Sequence, residues 1–271
     1  MVISRYGVTQ SLTIYDIAAL RFFVAIVAVS PFLLKFWPRQ IAAWKLVILS
    51  ICPGVPFLLI AFAGMQFAPA SHAGILLNGT LPVFAAGIAW ICLRQAPDRS
   101  KMIGMGVILV GCFLIGWDNG TGGLRPDAWI GHLLFILAAL LLAAYMVITK
   151  LWNVAPMQAL VVVPTLNALV YIPIYLAFLP KNVVNAPLSE ILLQGLYQGI
   201  GPSVIGILSF TYAVKVLGST RTAAIMAGVP ALVALLAIPV LGEWPSLLVW
   251  IGLTVTTAGI LMAAGSERKP S

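Results

Sequence analysis

The sequence predicts an all-α integral membrane protein of about nine transmembrane helices that follow an N-terminal stub. Composition supports this class, because 62% of the 271 residues are hydrophobic and only 8% are charged, which leaves too little polar surface for a soluble domain. Apolar stretches close to the length of about 20 residues that a bilayer-spanning helix requires recur along the chain. Short clusters of charged residues, Pro, Asn or Gly separate these stretches, and the connections are too short to form a soluble domain.

Each apolar stretch is taken as one spanning helix, in chain order. The predicted spans are residues 16–37, 45–68, 71–93, 101–117, 129–150, 157–179, 192–216, 220–241 and 246–264. The three cysteines all fall inside these spans, so they imply no disulfide framework.

Basic residues alternate between successive connections, and this alternation accounts for the net charge of +8 without a nucleic-acid partner. Cytoplasmic loops of membrane proteins carry an excess of Lys and Arg. The pattern therefore predicts a multi-pass protein of a bacterial cytoplasmic (inner) membrane, with its C-terminus in the cytoplasm. The basic connections hold Lys35, Arg39, Lys45, Arg94, Arg99, Lys101, Lys150, Lys215, Arg221, Arg268 and Lys269.

The chain contains an internal duplication with a shift of 148 residues. Under this shift, residues 71–111 align with residues 219–259 without a gap, and Pro and Gly positions match. Matched Pro and Gly are harder to obtain by chance than matched apolar residues, because each fixes a local backbone conformation. The matched pairs are Pro82 with Pro230, Pro97 with Pro245, Gly104 with Gly252 and Gly111 with Gly259.

The opening "MVISRYG" resembles "MVITKLW" at residues 146–152, the end of the first helix of the second copy. The first copy therefore contains four complete helices and the final turns of a fifth. We expect the genomic reading frame to continue upstream of Met1 with about 15 to 20 further apolar residues.

Five helices per copy would place the two copies in opposite orientations, as in many secondary transporters built from inverted repeats. The predicted organisation is a first repeat at residues 1–117, a loop at 118–128, a second repeat at 129–265 and a cytoplasmic tail at 266–271. Equivalent loops have opposite charge, since the basic loop at 94–101 aligns with the acidic "LGEWP" at 241–245.

Four stretches resemble the EamA-type ten-helix exporters of the drug/metabolite transporter superfamily. They are "AALRFFVA" at 18–25, the helix-opening stretches at 71–82 and 219–230, and "LGEWPS" at 241–246. The resemblance implies an exporter of small organic metabolites, amino acids or related compounds, that works by alternating access. A multidrug-type exporter of hydrophobic cations and a non-transporting membrane subunit remain alternatives.

Transporter sites in such folds lie near the bilayer midplane, often where helices are interrupted. Breaks are predicted at "CPGVP" (52–56), at Pro82, at "IGPS" (200–203) and at Pro230, and each Pro would free a carbonyl four residues earlier. The polar residues near these breaks are candidate substrate ligands, although neighbouring helices could satisfy them instead. The candidates are Asn78, Pro82, Tyr145, Thr165, Asn167, Gln198, Ser203, Ser209 and Tyr212.

Asn78 and Gln198 are the two candidates expected to line one cavity from opposite repeats. Asn78 shares a helical face with Gly74 and Pro82, and its repeat equivalent is Met226. Gln198 belongs to a stripe that also contains Gln194, Pro202, Ile205, Ser209 and Tyr212.

Other polar residues are assigned to packing or to the membrane interface. The Gly and Thr residues of spans 101–117 and 246–264 predict tight helix contacts, and His72 and His132 are expected at the interface. Arg21 is left open between pairing with Asp16, reaching the interface and attracting an anionic group.

The sequence contains no HExxH or GxSxG motif, and both are signatures of hydrolytic enzymes. It therefore predicts neither an enzyme nor a metal site, and it implies no cofactor. The expected partners are a small-molecule substrate and the lipid bilayer, and a homodimer is left open.

Topology gives the first testable prediction. Single cysteines introduced into a variant without Cys52, Cys92 and Cys112 should react with a membrane-impermeant thiol reagent from one side only. Positions expected on the cytoplasmic side are Arg39, Arg99 and Ser271, and positions expected on the opposite side are Asn119, Asn185 and Pro245. Labelling of Arg39 and Asn119 from the same side would contradict the nine-span arrangement.

Overall fold

The computed structural model describes residues 2–94, 96–117, 126–213, 215–216 and 229–265, and these residues form helices and short connections without any strand. The helices in chain order are α1 (Val2–Val8), α2 (Ile14–Val29), α3 (Leu33–Phe36), α4 (Ala43–Ile51), α5 (Val55–Phe67), α6 (Ala70–Leu93), α7 (Arg99–Gly116), α8 (Ala128–Leu151), α9 (Pro156–Phe178), α10 (Leu188–Ile200), α11 (residues 207–213), α12 (Val229–Leu241) and α13 (Leu247–Gly265).

These helices confirm an all-α membrane protein. Six apolar helical segments in the described part of the chain are long enough to cross a bilayer, and α12 and the apolar part of α13 are shorter. The start of the predicted span 220–241, including Met226, lies outside the described residues. The described residues of the stub, from Val2 onward, form the short helix α1, as the likeness to the end of a spanning helix predicted. The six long segments are Ile14–Phe36, Ala43–Phe67, Ala70–Cys92, Ala128–Leu151, Pro156–Phe178 and Leu188–Ala213.

Of the four predicted interruptions, two are present and one is not, and residues 217–228, on the N-terminal side of Pro230, lie outside the described part of the chain. α4 ends at Ile51 and α5 begins at Val55, and a six-residue π-helix, Gly201–Gly206, separates α10 from α11. α6 instead runs from Ala70 to Leu93 through Pro82. The predicted break at Pro82 is wrong, because a helix that loses one backbone hydrogen bond can be continued by the turns on either side.

The described chain packs as two compact units. Unit I comprises residues 3–62 and 148–212, and unit II comprises Val2, the described residues of 63–147 and those of 213–265. Each unit therefore contains helices from both halves of the sequence duplication, so the packing units and the sequence repeats divide the chain differently.

In unit I, α2 packs against both α9 and α10, and α4 packs against α9. The contact between α2 and α10 is close, because a Cβ at Gly199 would lie only 2.5 Å from Val24 Cβ. The ring of Phe22 meets the edge of Tyr171 with centroids 6.4 Å apart. Small and aromatic residues thus set the spacing of these three helices.

In unit II, glycines bring α7 and α13 into antiparallel backbone contact, as the small residues predicted. Gly104 lies against Gly259 and Ala263, and Gly111 lies against Gly252 and Thr256. The duplication pairs Gly104 with Gly252 and Gly111 with Gly259. If each residue of the contact Gly104–Gly259 is replaced by its repeat equivalent, the contact Gly252–Gly111 results. This seam consequently has the local two-fold relation that two inverted copies require.

The acidic motif "LGEWP" ties two helices of unit II together. The Glu243 carboxylate accepts a hydrogen bond from the backbone N–H of Ala70, the first residue of α6, at 2.8 Å. The first N–H groups of a helix have no partner within it, and a negative charge there is favourable. Glu243 therefore acts as a cap supplied from a distant part of the chain.

The α7/α13 seam gives the second prediction. In Gly104→Ala, the new methyl carbon would lie 2.6 Å from Ala263 N and 2.7 Å from Gly259 O. The helices must separate to admit it, and overpacking of this kind costs about 1–3 kcal/mol. We expect a lower melting temperature of the purified protein, measured by differential scanning fluorimetry.

Gly106→Ala is the matched control, because Gly106 lies on the same helix and a Cβ there has no atom within 4 Å. Ala is also the better helix former, so this variant should be at least as stable as the parent. Equal destabilisation by the two changes would contradict a close seam.

Candidate functional site

Unit I contains a set of buried polar side chains on α1, α2, α9, α10 and the π-helix, which we call the polar core. A buried polar atom without a hydrogen bond costs about 1–3 kcal/mol. The hydrogen bonds of each side chain in this set therefore show whether it stabilises the fold or has a free polar atom that could bind a ligand. The polar core consists of Ser4, Arg21, Thr165, Gln194, Gln198 and Ser203.

Two glutamines of α10 hold helix α1. Gln198 Nε2 donates to Ser4 Oγ at 2.9 Å and to Gln194 Oε1 at 3.4 Å, while Gln194 Nε2 donates to the Ile3 carbonyl at 3.0 Å. A Cβ at Gly7 would lie 2.5 Å from Gln194 Cδ, so α1 approaches these amides closely. Gln198 Oε1 is buried and has no partner among the described residues.

The π-helix follows directly from the sequence "GPS". Pro202 has no N–H to donate, and the Ser203 hydroxyl donates to the Gln198 carbonyl at 3.0 Å. The break at 200–203 is confirmed, but the expectation of a free Gln198 carbonyl is wrong, because Ser203 occupies it. Wide turns of this type are frequent at functional sites.

The π-helix also divides the predicted stripe on this segment. Gln194 and Gln198 are fully buried, whereas Ser209 and Tyr212 are exposed, Tyr212 by 60%. A π-helix has more residues per turn than an α-helix, so the residues beyond it rotate away from the face that the glutamines occupy. Ser209 and Tyr212 therefore do not share the environment of Gln198.

Asn167 of α9 closes the break between α4 and α5. Its Oδ1 accepts from Val55 N at 2.8 Å, and its Nδ2 donates to the carbonyls of Ser50 and Val163 at 3.0 and 2.8 Å. Both amide hydrogens are thereby used. Thr165, two residues earlier, differs: its buried Oγ1 has no partner among the described residues.

Asp16, at the start of α2, is the centre of a separate hydrogen-bond network. Its carboxylate accepts from Thr13 N at 2.9 Å, Thr13 Oγ1 at 2.8 Å, Tyr175 OH at 2.5 Å and Asn182 N at 3.0 Å. Asn182 Nδ2 also donates to the Ser11 carbonyl at 2.7 Å. These bonds join the first turn of α2, the last turns of α9 and the connection after it, so Asp16 serves the fold and forms no ion pair with Arg21.

Asn78 and Tyr145, the candidates of unit II together with Pro82, are buried. Asn78 Nδ2 donates to the Gly74 carbonyl at 3.0 Å, and Tyr145 is 2% exposed. Pro82, one turn after Asn78, is half-buried. Asn78 and Gln198 lie in different units, and their predicted role in one cavity stays a prediction.

The two histidines of the chain contact each other in unit II. His72 Nδ1 lies 2.9 Å from His132 Nε2, the rings are 5.1 Å apart, and both side chains are buried. Each imidazole therefore uses the other as a polar partner within the protein, and the expectation that the two histidines lie at the membrane interface stays a prediction. Within the described residues, no cluster of three or more His, Cys, Asp or Glu side chains could hold a metal ion.

Apolar helices long enough to cross a bilayer, the glycine seam between α7 and α13 and buried polar side chains fit a membrane transporter. The model of the EamA-like transporter family matches residues 1–117 and 129–265. The chain belongs to this family.

Two curated relatives are transporters by name. An "Uncharacterized transporter YdfC" of Bacillus subtilis (strain 168) is 27% identical over 202 residues, which are 73% of this chain and 63% of the relative. A "Probable terminal-alkyne amino-acid exporter" of Streptantibioticus cattleyicolor is 25% identical over 201 residues, which are 73% of this chain and 65% of the relative. The matches thus span less than two thirds of the length of either relative.

A solved crystal structure shares the fold. Its TM-score is 0.65 at 19% sequence identity, and the superposition covers 97% of this chain and 93% of the other. At this identity the likeness concerns the fold alone.

Asn78 provides the third prediction. Asn78→Ala should reduce transport several-fold while expression in the membrane stays near that of the parent, because the sequence predicts that this amide contacts the substrate. Transport is measured per molecule in proteoliposomes, beside the melting temperature. Gln198→Ala is expected to change the apparent affinity, because it removes an unpaired acceptor from the polar core.

Thr80→Ala is the matched control, because Thr80 Oγ1 makes the same kind of bond on the same helix, to the Leu76 carbonyl at 2.6 Å. If Asn78→Ala lowers yield and melting temperature as Thr80→Ala does, and the surviving protein transports at the parental rate, the amide serves packing and the assignment is wrong.

Proposed function

We propose that this protein is a secondary transporter that exports small organic metabolites, amino acids or related compounds, across the cytoplasmic membrane by alternating access. In this proposal the C-terminus lies in the cytoplasm. Family membership supports transport, and the name of the Streptantibioticus relative supports amino acids.

The observation that carries the proposal is the incomplete pairing of the polar core. Gln198 Oε1, Thr165 Oγ1 and Arg21 Nε are buried without a partner among the described residues, and they lie on three helices of unit I that pack together. Such groups are costly in a segment surrounded by lipid. A polar solute that leaves water would supply the missing hydrogen bonds.

Hydrophobic cations are less well supported as substrates. Arg21 places a permanent positive charge inside unit I, and like charges repel strongly where the effective dielectric constant is low. Neutral, zwitterionic or anionic solutes do not meet this barrier.

The fourth prediction concerns which solutes the protein exchanges in a counterflow assay. Proteoliposomes loaded with unlabelled L-leucine or L-propargylglycine, an amino acid with a terminal alkyne, should accumulate the same labelled compound several-fold above liposomes without protein. Proteoliposomes loaded with unlabelled tetraphenylphosphonium, a hydrophobic cation, should accumulate no more labelled tetraphenylphosphonium than liposomes without protein do.

Accumulation of the cation alone would replace the proposal with a multidrug-type exporter. No counterflow of any of twenty amino acids or of the cation would indicate a non-transporting subunit. Protein reconstituted after heat denaturation serves as the control for leakage through damaged vesicles.

A further inference from the structure

Arg21 is a charged side chain inside a membrane-spanning helix. It lies seven residues after Ile14, the first residue of α2, which corresponds to about 10 Å along the helix axis. The side chain is only 7% exposed, and its Nε is buried without a hydrogen bond. Among the described residues, no carboxylate forms an ion pair with it.

Neither of the ordinary explanations for an intramembrane arginine applies to Arg21. A residue that snorkels keeps its charged head in water or among lipid headgroups, but this side chain is almost fully covered by protein. Asp16, one turn earlier, has its oxygens occupied by Thr13, Tyr175 and Asn182. A carboxylate has about four lone-pair sites, so four donors leave little capacity for a guanidinium.

The groups beside Arg21 supply no negative charge. The ring of Phe22 lies 5.9 Å from the guanidinium carbon, and the phenol of Tyr197 on α10 is close enough to interact electrostatically. Gly195 and Gly199, two residues before and two residues after Tyr197 on α10, face Leu20, Val24 and Ala25 of α2. Neither Phe22 nor Tyr197 supplies a negative charge that would compensate the guanidinium.

A buried and uncompensated cation destabilises the fold unless an anion joins it. The guanidinium presents a planar set of donors that matches a carboxylate with two parallel hydrogen bonds. Tyr197 adds a hydroxyl donor that no described residue engages, and its side chain is only half-buried. These two groups together have the donor chemistry of a carboxylate-binding site.

We propose that Arg21, assisted by Tyr197, binds the carboxylate of the transported solute within unit I. The inference rests on the proposed function and makes it more specific, because the substrates must then carry a free carboxylate. Amides and esters of the same compounds bind more weakly at this site, since they lack the charge that compensates the guanidinium.

Binding to the purified full-length chain tests this inference directly. The melting temperature is measured with the twenty proteinogenic L-amino acids, each beside its α-carboxamide. At least one acid should stabilise the parent protein with an apparent affinity roughly ten-fold or more above that of its amide. Arg21→Met should abolish this preference, whereas Arg21→Lys should keep part of it.

The unliganded variant provides a second readout. Arg21→Met replaces an unpaired buried cation with an apolar chain of similar length, so its melting temperature without ligand should equal or exceed that of the parent. Arg39→Met, at an exposed position, is the control for a change of net charge and should keep the preference for the acid. If Arg21→Met does not fold, the inference is still tested by the melting temperatures of the parent protein and of Arg21→Lys with each acid and its amide.

Three results would overturn the inference: no acid stabilises the parent more than its amide, Arg21→Met retains the preference, or Arg21→Lys behaves as the parent in every pair. Failure of the transport proposal looks different. Vesicles that exchange acid and amide equally well contradict the role of Arg21 but not transport, while stabilisation by acids without any exchange contradicts transport but not the site.

Discussion

The hydrocarbon core of a bilayer contains no water, so every backbone group released by a helix break must find a partner within the protein. Two breaks in this chain obey that constraint through single side chains. Asn167 bridges the gap between α4 and α5 with hydrogen bonds to Val55 and Ser50. The Ser203 hydroxyl donates a hydrogen bond to the Gln198 carbonyl, next to the π-helix at Gly201–Gly206. The polar residues next to the breaks are therefore used first by the fold, and only the unpaired remainder is available for a solute.

That remainder is small and differs in chemistry from the residues that complete the fold. Thr165 and Gln198 contribute oxygens without a partner, and Arg21 contributes donors. Acceptor oxygens and a charged donor are the chemistry that a solute with both signs of charge or polarity requires.

Much of the fold is readable from the sequence, because the length of an apolar stretch and the Pro and Gly residues at its ends are local properties. The span predicted at 71–93 is the helix Ala70–Leu93, and the span predicted at 157–179 is Pro156–Phe178. Helix continuity through Pro82 was not readable, since it depends on whether the surrounding turns tolerate one missing hydrogen bond. The contact of His72 with His132 and that of Asn167 with Val55 join residues 60 and 112 positions apart. No periodicity in the sequence encodes such pairs. The sequence therefore identifies the polar residues as candidates but does not show which of them are hydrogen-bonded within the fold.

The antiparallel seam of α7 and α13 also has an electrical consequence. A helix carries about half an elementary charge of opposite sign at each end, so one spanning helix alone would change in energy by about 1 kcal/mol for each 100 mV of membrane potential. Gly104 against Gly259 and Gly111 against Gly252 place two such dipoles in direct contact and in opposite directions. Because the two dipoles oppose each other, the pair has almost no net dipole on which an electric field along the helix axes can act.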